Sequence, residues 1–528
     1  MNSPADLLNA AIQSHQAGQY AEAEQLYLTI LQTQPNHGRT LYLLGLAAHQ
    51  QGNVDAAAQW YQRAIAVEPA NVDAHNNLGV LMQQTGQLER ATIHYRAALQ
   101  LNAHNPRVHG NLGAIFQQLG QFETAIAHYQ TAIQLDPNLA AAHTNLGHAL
   151  KELGQMERAI THYATARQLM PTNPEAYRDL GDALQEQGRF SEALTIYDRA
   201  LAFAPNHGEL QGSRIRTLLL AGNLTEGFPA YDHWRLHIAA RPRPFLQPVW
   251  DDTPIPDQTV LLYAEAGSGL GDSIQFVRYA ALVADRGARV MVECQAPLVP
   301  LFRAIAAVDQ VIPAGDPLPP FDKHASLLSL PAILGTSLDT IPAPIPYLTA
   351  PPPTAAQQLP RDLADPTAFR VGLAWGGNPR HSHDLDRSCP LSEFLAFLTC
   401  PNVHFYSLQK GSHWAELNQI PAIANGTLPL TDLSPQLDDM AITATLISQL
   451  DLVITVDTAI AHLAGALGKP VWILLPFAPD WRWLLHRTDS PWYPTARLFR
   501  QPRRRDWATV CHQVSAALTA LAAPSTTP

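Results

Sequence analysis

Glycine recurs every 34 residues, at Gly45, Gly79, Gly113, Gly147 and Gly181, and no other feature constrains the fold of this chain as tightly. A second glycine series keeps the same period at Gly18, Gly52, Gly86, Gly120, Gly154, Gly188 and Gly222. Tyrosines fall in step at Tyr27, Tyr61, Tyr95, Tyr129, Tyr163, Tyr197 and Tyr231. Alanines do so from Ala23 to Ala193, with Gly227 in the seventh place, and Pro35, Pro69, Pro137, Pro171 and Pro205 close most units, Ala103 being the lapse. Agreement between several registers marks a stacked supersecondary unit. Each unit reads as helix, turn, helix. The first glycine lets the two helices approach, and the second ends helix A in the turn. Alanine and tyrosine line the packing face of helix B, and proline stops it.

The pattern, clearest from His75 to Pro137, resembles the tetratricopeptide (TPR) family and covers roughly residues 5–238. An α solenoid of about seven TPR units over residues 1–240 is expected, the degenerate seventh unit serving as a cap. The resemblance implies an extended concave groove for another chain. Asn77, Asn111 and Asn145 precede their glycines by two residues on the helix A face that lines such a groove. They are candidates for holding a peptide backbone, against the alternative that asparagine is a framework residue here. His75, His109 and His143, and likewise His94, His128 and His162, also keep the 34-residue period. Residues one repeat apart lie too far from each other to share one metal ion at ~2 Å bonds, so a framework role is expected for them.

After a proline-rich boundary, Arg241 through Pro256, the period changes. Short apolar runs (Val260–Ala264, Arg289–Glu293, Val308–Ile312) alternate with helical stretches such as Ser273–Asp285. A second proline-dense linker spans Pro342–Pro366. Strands then follow at Phe369–Trp375, Val403–Leu408, Leu452–Val456 and Val471–Leu475, with helices at Leu391–Leu398, Met440–Leu450, Thr458–Leu467 and Trp507–Leu521. Alternation of this kind implies parallel sheets covered by helices. Two Rossmann-like α/β lobes are expected, over residues 257–350 and 365–528, with a ligand cleft at the carboxyl ends of their strands.

Two segments carry the chemistry. Gly267-Ser268-Gly269-Leu270-Gly271-Asp272 stands between the first strand and a helix, where glycines admit a ligand and the helix end presents free N–H groups. Its spacing is neither a dinucleotide fingerprint nor a P-loop, and Asp272 alone could be a helix cap. The string from Val456 to Pro470 follows a strand and opens a second helix, with Asp457 or Thr458 able to cap it and His462 one turn in. Together these segments resemble the heptosyltransferase-like members of glycosyltransferase family 9, which have the GT-B fold of two Rossmann-like lobes. The resemblance implies that Asp272, closing Gly269-Leu270-Gly271-Asp272, is the general base. It implies that the second string binds the donor's diphosphate and sugar, through positions matching Asp457, Thr458, His462, Leu463, Ala466, Leu467 and Pro470. Ala459 stands where the family has glycine, and Arg387 is the nearest match to a basic ligand-binding residue. The first lobe, about 90 residues, is short for this family. Protein O-GlcNAc transferases share the TPR-plus-GT-B arrangement, but the motifs here are closer to the heptosyltransferase side.

Trp375, Lys410 and the Trp481-Arg482-Trp483 triplet follow strand ends and are further cleft candidates, packing being the alternative for each. Asp384-Leu385-Asp386, near His381 and His383, has D-x-D form, but metal is not expected. The implied function is inverting, metal-independent transfer of a sugar from a nucleotide-diphosphate donor to an acceptor hydroxyl, with no further cofactor. A protein or peptide acceptor would dock on the repeats. The rival is a non-catalytic TPR scaffold with a degenerate GT-B half. A net charge of −11 argues against nucleic-acid binding, and Arg503–Arg505 reads as a solvated turn. Four cysteines without paired spacing suggest neither disulfides nor zinc. No basic leader, apolar leader or membrane span is visible, so a bacterial cytoplasmic protein is expected.

Overall fold

The computed structural model describes residues 3–239, 243–354, 357, 369–380, 384–428 and 430–522. By packing, the chain divides into two compact units, Met1–Ala183 and Leu184–Pro528. The division falls inside the helix Pro174–Glu186, earlier in the chain than the composition boundary near residue 240.

The first unit consists of paired antiparallel helices: Pro4–Gln16 with Tyr20–Thr33, Gly38–Gln50 with Val54–Val67, Val72–Gln84 with Leu88–Leu101, Pro106–Gln118 with Phe122–Leu135, and Ala140–Glu152 with Met156–Leu169. The repeated residues explain the pairing. A Cβ placed on Gly79, Gly113 or Gly147 would lie 2.6–2.7 Å from the ring of Tyr95, Tyr129 or Tyr163, respectively. Those tyrosines and the alanines Ala91, Ala125 and Ala159 are buried, so glycine on helix A is the space into which helix B's tyrosine fits. The other series turns the chain, as at Gly86, whose φ of 75° ends its helix in the left-handed region.

The histidines pair within each repeat. His75 and His94 bring their Nδ1 atoms to 3.2 Å, His109 and His128 to 3.2 Å, and His143 and His162 to 3.1 Å. The helix A ring of each pair also bonds through Nε2 to a backbone carbonyl, of Pro69, Ala103 or Pro137. A carbonyl only accepts, so Nε2 carries the proton and Nδ1 receives the partner's N–H. The ring centroids of each pair lie 5.3–5.5 Å apart. Burial, followed by the partner histidine's charge, lowers the pKa of His94, His128 and His162 below 6.5.

In the second unit the pairs continue as Phe190–Leu201, Gly208–Leu220 and Leu224–Trp234. The last hairpin, expected as a cap on the repeats, packs against the α/β part of its unit. Ile215, Leu219, Leu224 and Phe228 belong to one apolar core with Val260, Leu262, Leu475 and Trp492. Phe228 meets the rings of Trp481 and Trp492 edge-on at 5.5 and 6.3 Å.

The first α/β lobe has parallel strands β1 (Thr259–Tyr263), β2 (Arg289–Cys294), β3 (Gln310–Pro313) and β4 (Lys323–Ser326), in the order β3-β2-β1-β4. The second has β5 (Phe369–Ala374), β6 (Val403–Ser407), β7 (Leu430–Asp432), β8 (Leu452–Val456), β9 (Val471–Leu475) and β10 (Ala496–Arg500), in the order β7-β6-β5-β8-β9-β10, also parallel. This is the doubly wound order, and its direction reverses between β5 and β8. Strands β4, β7 and β10 escape a sequence reading because they are short or carry charged residues. The expected helix Ser273–Asp285 is instead two helices, Leu270–Phe276 and Ala280–Ala284, joined by a 3₁₀ turn. At that turn Arg278 donates inward to the carbonyls of Pro342 and Trp492. Part of the expected linker, and His381 and His383, lie outside the described residues.

Two outcomes test the repeat packing. Gly110 and Gly113 share one helix, but a Cβ on Gly110 meets nothing within 4 Å. Gly110→Ala should therefore stabilise by about 0.5–1 kcal/mol through helix propensity. Gly113→Ala should lose net stability, because overpacking costs about 1–3 kcal/mol; urea unfolding of the two variants reads the difference. The histidine pairs predict a pH dependence. As pH falls past about 6.5 the unfolded chain binds protons that the folded rings resist, so stability is lost on acidification. Thermal melting between about pH 7.5 and pH 5 should show this slope, flattened when His94, His128 and His162 are replaced by asparagine.

Candidate functional site

The carboxyl ends of β1, β5 and β8 open onto one cleft of about 830 Å³, in the range of small-molecule sites. Gly269, Gly271 and Asp272 line it from the first lobe, and Arg387, Lys410, Asp457, Thr458, Ala459 and His462 from the second. The two recognised segments therefore face each other. Their contact depends on Gly271, where a Cβ would lie 2.7 Å from Cδ2 of His462 and 3.6 Å from Cα of Ala459.

Asp272 stands in the first turn of Leu270–Phe276 and reaches back, its Oδ2 accepting the N–H of Gly269 at 2.9 Å. Asp272 is thus not the cap of this helix, as its sequence position allows, but its third residue, bonding back to the capping residue Gly269. Its Oδ1 accepts from Nη2 of Arg482 at 2.5 Å, and its side chain is 30% exposed. Across the cleft, Thr458 caps the helix Ala459–Ala466, its Oγ1 accepting the N–H of Ile460 at 3.3 Å. The first-turn amides of such a helix have no intrahelical acceptor and attract anions. Asp457, just before the cap, has a pKa raised to about 6 by burial, then by the nearby charge of Asp480.

His462 is a wall rather than a titrating group. It is buried, bonded through Nδ1 to the Tyr493 hydroxyl at 2.8 Å, and stacked on Trp483 with ring centroids 5.5 Å apart. Burial, followed by the charges of Arg482 and Arg278, holds its pKa well below the usual value, so the ring stays neutral.

Arg387 is braced by a buried network. Its Nε donates to Oδ1 of Asp384 at 3.2 Å, which also accepts from Ser388, while Oδ2 of Asp384 meets His413 at 3.2 Å. His413 bonds onward to Glu416 at 2.8 Å. Burial alone would lower the His413 pKa, but hydrogen bonds to Glu416 and Asp384 outweigh it and raise it. Asp384 is therefore an ion-pair residue, while Leu385 beside it is exposed. Among the described residues no cluster of three or more His, Cys, Asp or Glu is arranged to hold a metal ion. Lys410 pairs with Asp438 at the cleft margin.

Trp375 requires a correction: its side chain does not reach the cleft. It follows Ala374, which lines the cleft, and the alternation of a strand turns it to the opposite face, fully buried beside Phe394. The triplet after β9 divides in the same way. Trp481 and Trp483 are buried while Arg482 enters the cleft, a polar residue between aromatics being the signal available in the sequence. Gln409, buried in the cleft lining, accepts the N–H groups of Trp375 and Gly376 at 2.9 and 2.8 Å and so fixes the loop after β5.

In the repeats, the Asn77 amide points toward the hydroxyls of Tyr42 and Tyr61 at 3.3 and 3.5 Å, and Asn111 donates to Asn76 at 2.8 Å. Those two amides are engaged within the repeats. Asn145 occupies the equivalent register, half-buried.

Comparison with known proteins agrees with both halves. Residues 45–86 and 115–154, 72–105, 138–206 and 178–242 match TPR family models. Residues 403–475, which contain Lys410, Asp457, Thr458, Ala459 and His462, match Glycosyltransferase family 9 (heptosyltransferase). The chain is similar to Protein FlbA of Caulobacter vibrioides, 26% identical over an alignment of 344 residues, with 60% of this chain and 55% of FlbA covered. It thus spans about half the length of that curated relative. Among solved structures it is similar to a chain of the APC/C hetero-tetramer Cut9–Hcn1, with 21% identity, 41% of this chain and 43% of that one covered, and a TM-score of 0.38. It is also similar to pilF of Pseudomonas aeruginosa, with 22% identity, coverages of 38% and 93%, and a TM-score of 0.35. Repeats and cleft together describe a chain in which tetratricopeptide repeats are joined to a glycosyltransferase family 9 domain.

Proposed function

We propose that the chain transfers a sugar from a nucleotide-diphosphate donor to an acceptor hydroxyl with inversion, the TPR repeats recruiting a protein or peptide that carries the hydroxyl. The observation that carries this reading is the meeting of Asp272 with the Thr458–Ala459 helix mouth in one cleft. A hydroxyl is a weak nucleophile, and a carboxylate within hydrogen-bond reach can take its proton as the new bond forms. Asp272 is the cleft carboxylate on the first lobe, opposite the anion-attracting helix end, so acceptor and donor would enter from different lobes. The transition state leaves positive charge on the sugar ring and negative charge on the departing diphosphate. The helix-end amides, with Arg387 and Lys410, would stabilise that diphosphate, a role for which fixed donors and braced cations are well suited. The network Asp384–His413–Glu416 supports this by holding Arg387 in one orientation. In this reading the protein's own cations balance the diphosphate, without a metal or a further cofactor.

Calorimetry with ADP-, GDP- and UDP-sugars tests the proposal. One donor class should bind, and Asp272→Asn should keep that affinity while losing transfer by about 10²–10⁴-fold, because the base acts only in the chemical step. Binding of no nucleotide sugar, with melting temperature equally unmoved, would leave the repeats as a scaffold and end the transferase reading.

A further inference from the structure

Arg482 has no role in that reading, yet it lies at the centre of the cleft's charges. All three of its guanidinium nitrogens are engaged: Nε with Oε1 of Gln275 at 2.6 Å, Nη1 with Oδ1 of Asp480 at 2.9 Å, and Nη2 with Oδ1 of Asp272 at 2.5 Å. The guanidinium lies over the Trp481 ring, 4.5 Å from its centroid, and its side chain is 13% exposed. Residues of both lobes thus share one cation. The titratable and charged groups that share the cleft with Asp272 include Arg482 and Asp480 from the turn after β9 and Asp457 and His462 at the opposite helix mouth, with Tyr231 at the end of the last repeat close enough to feel Asp272, Arg482 and Asp480. Tyr231 senses this cluster: burial first, then the charges of Asp272 and Asp480, raise its phenol pKa against the opposing effects of Arg482 and Arg235.

The arrangement sets up a competition. An arginine bonded to a carboxylate stabilises the anion and makes it a weaker base. Asp272, Asp480 and Asp457 all draw on Arg482, and a diphosphate entering between them would meet three carboxylates unless it also drew on that cation. Arginine's planar fork suits phosphate as well as carboxylate. We propose that Arg482 couples donor binding to base strength: a diphosphate in the cleft takes a share of its guanidinium, and Asp272, losing part of its counter-charge, becomes the stronger base. The acceptor proton then passes to an Asp272 oxygen as the acceptor oxygen bonds to the anomeric carbon. The bond from that carbon to the diphosphate breaks with its electron pair on the leaving oxygen, where Arg482 meets the new charge. Arg482 is thus a positioning residue for the base and a contact for the leaving group. The inference rests on the proposed transferase reading and on Asp272 as its base.

The test is a pair of pH profiles on the full chain with Arg482→Gln and Asp480→Asn, Asp272→Asn serving as the control for the base itself. In Arg482→Gln the acidic limb of kcat/KM, which reports the free enzyme, should move up, while the limb of kcat, which reports the donor complex, moves less. Donor affinity should weaken about 10-fold, and Arg482→Lys should recover part of it. Asp480→Asn keeps the backbone cap at the N–H of Arg482 but removes a competitor, so its kcat/KM limb should move down. That variant keeps the question open to refutation if Arg482→Gln fails to fold. Limbs unmoved in both variants, or shifted equally in both profiles, would overturn the coupling and leave Arg482 as a latch between lobes. Full activity in Asp272→Asn would overturn instead the base assignment on which it rests.

Discussion

The contact between Gly271 and the His462 ring is the constraint on which the cleft depends. A single methyl group at position 271 would overlap the ring, where the turn ending at Asp272 and the helix mouth at Thr458 share one opening. His462 can serve as the opposing wall because Trp483 and Tyr493 hold it in place and because burial keeps it uncharged. A charged ring there would face Arg482 and Arg278, two cations that already lie within the same interior.

Charge in the cleft is arranged in two connected ways. Arg387 is fixed from behind by Asp384, itself tied to His413 and Glu416, so its orientation is set before any ligand arrives. Arg482 is instead divided among acceptors on both lobes. A braced cation suits stabilising a charge that always appears in one place. A divided cation responds to which partners are present. The raised pKa of Asp457, about 6, belongs to the same balance, since burial and Asp480 oppose its ionisation while Arg482 and Arg387 favour it.

The repeats follow a different logic, in which each unit repeats one local solution. Glycine on one helix receives tyrosine from the next, and three histidine pairs bridge their helices through Nδ1 contacts. The last hairpin departs from this, because Phe228 and its neighbours pack into the core that also holds Val260 and Trp492. A degenerate unit in sequence is thus a specialised one in structure, its face matched to an α/β surface rather than to another repeat.

Much of this was legible in the residues alone. The 34-residue period determined the helix pairs, because stacked units must repeat the same contact at the same spacing. The order of apolar runs determined the parallel strands, and the two glycine- and threonine-led turns marked the cleft. Only the tertiary structure decided the remainder. Trp375 turned out to be core because strand alternation and burial on both sheet faces, not residue type, choose its side. Arg482 became central because its partners, Asp272 and Gln275, lie more than 200 residues away in sequence, a separation over which local pattern carries no information. Nor could spacing reveal that the histidines pair within a repeat, since that depends on how closely two helices cross. Periodicity determines local conformation, whereas charge sharing and side-chain facing are set by distances that exist only once the chain has folded.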